Sequence, residues 1–172
     1  MTSRPAPGLT WLNSAEESDA RAALREVCAS DAWASTLLAQ RPYRSVEALF
    51  TASDTAMAEL TAADLAQAMA GHPPIGRPKP GDPTSSREQR GMAGATEELK
   101  AEMLELNLAY QDRFGHVFLI CATGLTGEEM RDAVRHRIGN TPDQEREIVR
   151  GELAKINRIR LTRLAEEGAR AA

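Results

Sequence analysis

Hydrophobic residues recur every three to four positions along most of this chain, which is the spacing of amphipathic α-helices. In residues 13–30, for example, Ala20, Ala23, Leu24 and Val27 fall on one helical face. The same spacing predicts helices over residues 30–42, 45–60, 61–74, 85–113, 126–139 and 141–168. Residues 114–124 depart from it and predict a strand or a buried extended segment. We therefore predict an all-α fold of about seven to nine helices.

Polar residues at the predicted helix starts supply capping signals. Ser14 followed by Glu17 matches a capping box. Further N-caps are predicted at Ser45, Thr61, Thr126 and Thr141. Pro42 is expected to end the second helix, because the residue before a proline avoids the helical region.

Length and composition narrow the class of protein. The 172 residues predict a single domain over residues 1–172, with loosely ordered ends at 1–10 and 168–172. The net charge of −4 and the absence of a dense basic stripe argue against a nucleic-acid partner. No run of about 18 apolar residues predicts a membrane span. No signal-peptide pattern is present either, so the cytoplasm is the expected compartment.

A loop over residues 71–84 separates two predicted helices and carries the sequence "GHPPIG". Loops of about 13 residues in a compact domain are more often functional than passive. His72 follows Gly71, and two prolines stiffen the backbone behind it. His72 is therefore either a site residue or a histidine that caps the preceding helix.

The remaining histidines and cysteines give no catalytic or metal-binding pattern. His136 lies near the end of an amphipathic helix, where a histidine is favourable. His116 adjoins an apolar run, and Cys121 within that run is expected to be a buried thiol. Cys28 is far from Cys121 in sequence. Neither the histidine spacings nor the cysteine spacing matches a known metal motif, so no metal ligand is predicted.

The stretch "SSREQRG" places Ser85, Glu88 and Gln89 at a predicted helix start. Ser85 and Glu88 match a capping box. Alternatively, free N–H groups at the helix start would bind an anionic ligand, with Ser85 and Gln89 adding polar groups. Glu88 would then be a general base or would orient His72.

Four motifs occur in one order along the chain, and together they carry a resemblance. They are the spacing C-x-S-x-x-W at Cys28, Ser30 and Trp33, then "AGHPPIG", "SSREQRG" and "YQDRFGHVFLICATG". In these motifs the sequence resembles the 2-oxo-4-hydroxy-4-carboxy-5-ureidoimidazoline (OHCU) decarboxylases of purine degradation. The resemblance covers nearly the whole chain and implies a helical domain with its active-site loop between two helices.

The resemblance also implies roles for individual residues. His72 matches the family's proton donor, with Glu88 as its catalytic partner. The implied substrate-binding residues are Pro73, Ser85, Gln89, Phe118, Leu119, Ile120, Cys121 and Ala122. Pro74, where the family often has a polar residue, and the short loop before Ser85 are departures that affect the loop contacts.

The implied function is a carboxy-lyase that converts OHCU to (S)-allantoin in urate degradation. The C=N bond beside the carboxylated carbon can accept the electrons, so no cofactor and no metal is expected. A cytoplasmic homodimer with a small-molecule substrate is implied. A non-catalytic helical binding or scaffold protein, and an enzyme for another ureido substrate, remain alternatives.

Overall fold

The computed structural model describes residues 6–77 and 80–168. In that part of the chain ten helices and no strands are present. The helices are α1 (Pro7–Ser14), α2 (Glu17–Val27), α3 (Asp31–Ala39), α4 (Val46–Glu59), α5 (Ala62–Ala70), α6 (Pro83–Glu88), α7 (Arg90–Ala93), α8 (Glu97–Phe114), α9 (Gly127–Arg137) and α10 (Pro142–Glu167). The predicted all-α class is confirmed.

The helix predicted over residues 85–113 is in fact three helices, which accounts for much of the larger count. Gln89 leaves the helical conformation between α6 and α7, at φ −98° and ψ 20°. Gly94 ends α7. Thr96 then begins α8, because its hydroxyl accepts a hydrogen bond from the Leu99 N–H at 3.2 Å.

Most predicted caps are confirmed. The side chains of Ser45, Thr61, Thr126 and Thr141 each accept a backbone hydrogen bond at the start of a helix. The cap predicted at Ser14 is wrong. Ser14 is the last residue of α1, and its hydroxyl donates to the Thr10 carbonyl at 3.0 Å. α2 begins three residues later, at Glu17, without a side-chain cap.

The chain divides into two compact units. The first comprises the residues up to Gly71 and those from Ala154 on. Its core contains Trp33, which is fully buried and donates its indole N–H to Ser53 at 3.1 Å. A Cβ at Gly8 would lie 1.8 Å from the Leu164 carbonyl oxygen, so α1 packs against α10 at van der Waals distance there.

The ends of the chain depart in part from the expectation of loose order. Residues 7–10 instead form the first turn of α1, and Leu9 is buried. Of the other residues that were expected to be loosely ordered, 1–5 and 169–172 lie outside the described residues. In the described ranges, no helix is both long enough and apolar enough to cross a bilayer.

The second unit runs from His72 to Leu153 and contains every predicted site residue. Helices α8 and α9 pack against each other within it. Residues 115–126 between them form no strand. Phe118, Leu119, Ile120 and Ala122 are buried, so this part is a buried non-helical segment, which was one of the two predicted alternatives. The core of this unit contains a hydrophobic cluster made of Ile75, Met92, Met103, Tyr110, Phe118, Ile120, Ala122, Met130 and Val134.

Candidate functional site

The loop that carries His72 is a tight turn fixed by glycine and proline. His72, Pro73 and Pro74 are half-buried, whereas Ile75 is 6% exposed. Gly76 has φ +85°, a conformation that residues with a Cβ rarely adopt. The Arg77 N–H donates to the Pro74 carbonyl at 3.0 Å and closes the turn.

Gln89 contacts this loop through both ends of its amide. Its Oε1 accepts from the Gly76 N–H at 2.8 Å, and its Nε2 lies 3.1 Å from the Pro74 carbonyl and 3.5 Å from the Pro73 carbonyl. Asn107 of α8 donates from Nδ2 to the Ile75 carbonyl at 2.9 Å. The loop is therefore hydrogen-bonded from two different helical regions.

Helix α6 presents Ser85 and Glu88 on one face, because residues three apart lie above one another on a helix. They are 2% and 9% exposed. The Ser85–Glu88 capping box predicted from the sequence is wrong, since Asp82 is the N-cap. Its carboxylate accepts from the Thr84 N–H at 3.1 Å and from the Ser85 N–H at 3.3 Å. Those two N–H groups are thus already satisfied within the protein, contrary to the predicted anion-binding helix start.

Residues 118–122 lie in the extended segment between α8 and α9. Phe118, Leu119, Ile120 and Ala122 are buried, and Cys121 is half-buried rather than fully buried as predicted. Ile75 of the loop belongs to the same hydrophobic cluster as Phe118, Ile120 and Ala122. The structure thereby brings the loop and this segment onto one core.

A buried arginine–glutamate pair contacts the extended segment. Arg137 donates to the Leu119 carbonyl at 2.8 Å, and its guanidinium carbon lies 4.5 Å from the centre of the Phe118 ring. Arg137 also donates to Glu145 at 2.7 Å. The Tyr110 hydroxyl donates to the same Glu145 oxygen at 2.6 Å.

Burial and hydrogen bonding shift the pKa values of this group in opposite directions. Burial raises the pKa of the Glu145 carboxyl, but hydrogen bonds from Arg137, Tyr110 and Asn140 outweigh burial, and the net pKa is lowered. Burial, with the hydrogen bond to Glu145, raises the pKa of Tyr110 well above its usual value. Glu145 is therefore an anion and Tyr110 a neutral donor near neutral pH.

Sequence reasoning gave no role to Asn107, Tyr110, Arg137 or Glu145, although Tyr110 is the first residue of the fourth motif. The contacts of Arg137 with Leu119, of Asn107 with Ile75 and of Tyr110 with Glu145 join residues 18 to 35 positions apart along the chain. Arg137 and Glu145 occur among other charged residues and look in sequence like a solvated helix surface. No local pattern distinguishes Arg137 and Glu145 from the charged residues around them.

The other two histidines keep structural environments. His136 is exposed in the last turn of α9. His116 packs edge-on against Tyr110, with ring centres 5.5 Å apart. Among the described residues, no group of three or more His, Cys, Asp or Glu side chains could hold a metal ion.

A cavity of about 420 Å³ lies beside the loop in the second unit. Of the predicted site residues, Gln89 lines this cavity. The lining consists of Ile75, Gly76, Arg77, Ser86, Gln89, Met92, Ala93, Lys100 and Leu104.

Comparison with known proteins places the chain in a family. The sequence model of the OHCU decarboxylases matches residues 13–162, and the chain belongs to the OHCU decarboxylase family. The family resemblance inferred from the four motifs is confirmed.

Individual relatives agree with this assignment. A uric acid degradation bifunctional protein, TTL, of Arabidopsis thaliana is 33% identical over 150 residues, which are 83% of this chain and 46% of that protein. A 2-oxo-4-hydroxy-4-carboxy-5-ureidoimidazoline decarboxylase of Amia calva is 43% identical over 61 residues, 36% of this chain and 35% of that protein. The chain thus spans less than half the length of these curated relatives.

A solved structure supports the fold over nearly its whole length. The crystal structure of an OHCU decarboxylase in the presence of (S)-allantoin superimposes with a TM-score of 0.73 and 30% identity. The match covers 88% of this chain and 99% of that one.

Proposed function

We propose that this protein decarboxylates OHCU to (S)-allantoin in urate degradation. The observation that carries the proposal is the membership of residues 13–162 in the OHCU decarboxylase family. The buried Glu88 and Ser85, and the loop that presents His72, support it because they occupy the positions that the family motifs require.

The chemistry needs no external electron sink. When the C–CO₂⁻ bond at C4 breaks, its electrons form a C4=C5 double bond and the former C=N nitrogen takes up a proton. The resulting enol then loses its hydroxyl proton and becomes the ring carbonyl at C4 as a proton is added to C5. The protein's tasks are to orient the carboxylate perpendicular to the ring and to deliver that proton to one face.

We assign the proton delivery to His72, because an imidazole exchanges protons near neutral pH. Glu88 orients His72 or accepts hydrogen bonds from the N–H groups of the substrate. Ser85 and the backbone of residues 118–122 bind the ring, and Pro73 contacts it. The rigid turn at Gly76 would hold His72 in place during the transfer.

The test measures the rate of OHCU loss and the chirality of the allantoin formed, in the presence of excess EDTA. The wild-type protein should give pure (S)-allantoin without added metal. His72→Asn should lower kcat by about 10² to 10⁴-fold, the usual contribution of a positioned general acid. Water can then protonate C5 from either face, so the product should approach a racemate.

The matched control is His136→Asn, a change at an exposed histidine. It should leave rate and chirality unchanged. A wild-type rate with pure (S)-allantoin from folded His72→Asn would remove His72 from the mechanism. If the wild-type protein did not raise the rate above that of the uncatalysed reaction, the result would favour a binding or scaffold protein.

We also infer that residues 1–172 work as one domain in a cytoplasmic homodimer. The resemblance to the family supports this, and so does an exposed apolar pair on α8. Leu104 and Leu108 are 38% and 60% exposed and lie one helical turn apart. Light scattering should then give twice the chain mass of 18.7 kDa.

A further inference from the structure

The loop that carries His72 depends on side chains for its backbone hydrogen bonds. Pro73 and Pro74 have no N–H to donate. The carbonyls of Pro74 and Ile75 and the N–H of Gly76 each meet a side-chain amide instead. The Arg77 N–H bond to the Pro74 carbonyl closes the turn within the loop, but without the two amides the Ile75 carbonyl and the Gly76 N–H would lose these partners and turn toward water.

The contact between the loop and residue 89 requires a side-chain amide. Within this short turn an N–H and two carbonyls face one side chain. Only Asn and Gln offer an acceptor and a donor on adjacent atoms at the end of the side chain. Nε2 lies within hydrogen-bond distance of two loop carbonyls and Oε1 accepts from the Gly76 N–H, so the contacts of this amide are with the loop.

Asn107 makes the second contact from another direction. It lies on α8, 9% exposed, and donates to the Ile75 carbonyl at 2.9 Å. A buried amide in an otherwise apolar helix face is unfavourable unless its hydrogen bond is needed. Ile75 itself is anchored in the hydrophobic cluster. The loop is thus held at Ile75 by Asn107 and at residues 73–76 by Gln89.

We propose that Gln89 and Asn107 are positioning residues that hold the His72 loop in its reactive geometry. The side chain of Gln89 acts on the loop rather than on the substrate, which revises the role that the family resemblance implies for it. The catalytic consequence rests on the proposed function of His72. The structural claim about the loop does not.

The first experiment measures the loop without any turnover. Hydrogen exchange of the Gly76 amide should be slow in the wild-type protein. Gln89→Met, which keeps the length but removes the hydrogen bonds of the amide to the loop, should accelerate it by about tenfold or more, as the loop opens locally. Gln111→Met, at an exposed position on α8, is the matched control and should leave it unchanged.

The second experiment measures kcat, KM and product chirality. Gln89→Met and Asn107→Leu should each lower kcat by about 10- to 100-fold, the effect of misplacing a reacting group by about an ångström. KM should change by less than about threefold, and the enantiomeric excess of (S)-allantoin should fall. A purely structural role would lower the melting temperature without altering chirality below it.

Gln89→Glu is the conservative variant, and it keeps the proposal testable if Gln89→Met does not fold. It keeps the acceptor for the Gly76 N–H but cannot donate to Pro73 and Pro74. Exchange at Gly76 should therefore stay slow while kcat is still reduced.

Two results would overturn the proposal. A raised KM with unchanged kcat and unchanged Gly76 exchange would make Gln89 a substrate ligand. If folded Gln89→Met and Asn107→Leu both kept the wild-type exchange rate and kinetics, the loop would not depend on these amides. If the wild-type protein were inactive toward OHCU, only the proposed function would be refuted. The exchange experiment would still show whether Gln89 holds the loop.

Discussion

Glu88 is a buried acid whose capping role is already filled by another residue. Asp82 takes the N–H groups at the start of α6, so the carboxylate of Glu88 is not required there. Glu88 lies on the same buried face as Ser85. Of the two interpretations available from the sequence, helix capping and chemistry, the structure removes the first.

We therefore expect Glu88→Gln to harm turnover far more than folding. Glutamine has nearly the same shape but carries no charge to orient an imidazolium or bind substrate N–H groups. We expect kcat to fall by about 10²-fold or more, with an unfolding midpoint close to that of the wild type. Steady-state kinetics and urea unfolding measure the two effects.

Glu98→Gln is the matched control for this change, since Glu98 is exposed in the first turn of α8. It should alter neither quantity. Full activity in Glu88→Gln would show that the charge is dispensable and that Glu88 is only a packing residue.

At the scale of single residues, the sequence indicated His72 and Glu88 because unusual residues interrupt a regular helical pattern there. The role of Gln89 could not be predicted from it. Gln89 meets residues 13 to 16 positions away, and that contact depends on how the loop folds back. The motif indicated that Gln89 matters but not what it touches.

At the scale of elements, local signals predicted what local interactions decide. The caps at Thr61 and Thr126 form within one turn and were predicted correctly. The splitting of residues 85–113 was not, because leucine, glutamate and alanine favour helix throughout. The first break falls at Gln89, whose amide makes a tertiary contact with the loop, and the second falls at Gly94.

Asp82 determines where α6 begins, and it should contribute to stability. Asp82→Ala removes the acceptor for two backbone N–H groups and should lower the free energy of unfolding by about 1 kcal/mol. Asp82→Asn, which can still accept, should recover most of that loss. Urea unfolding of both variants tests this.

Asp112→Ala, at an exposed position late in α8, is the appropriate comparison and should have little effect. Equal stability of Asp82→Ala and the wild type would mean that α6 is held by packing alone.

At the scale of the whole molecule, the buried Arg137–Glu145 pair should govern stability in acid. The pKa of Glu145 is lower in the folded protein than its ordinary value of 4.5. The folded state therefore gains stability from this group above pH 4.5, and loses it as the pH falls through the lowered pKa. The free energy of unfolding should decrease over that acidic range.

Glu145→Gln should remove this part of the pH dependence and lower stability at pH 7. Arg137 would remain buried without a counter-ion, which costs about 3 to 5 kcal/mol in comparable cases. Urea unfolding between pH 3 and pH 8 gives both quantities. Parallel acid profiles for the variant and the wild type would show that other carboxylates control the acid response.

The division into units has a consequence for how the protein is made. Residues 72–153 form one unit, and the other is built from segments on both sides of them. The unit with the predicted site residues can leave the ribosome whole before α10 is finished. α1 must wait, because its neighbours at Gly8 are Leu164 and Ala165 near the end of α10. During translation α1 is therefore made before the other described helices but is among the last of them to find its native partner.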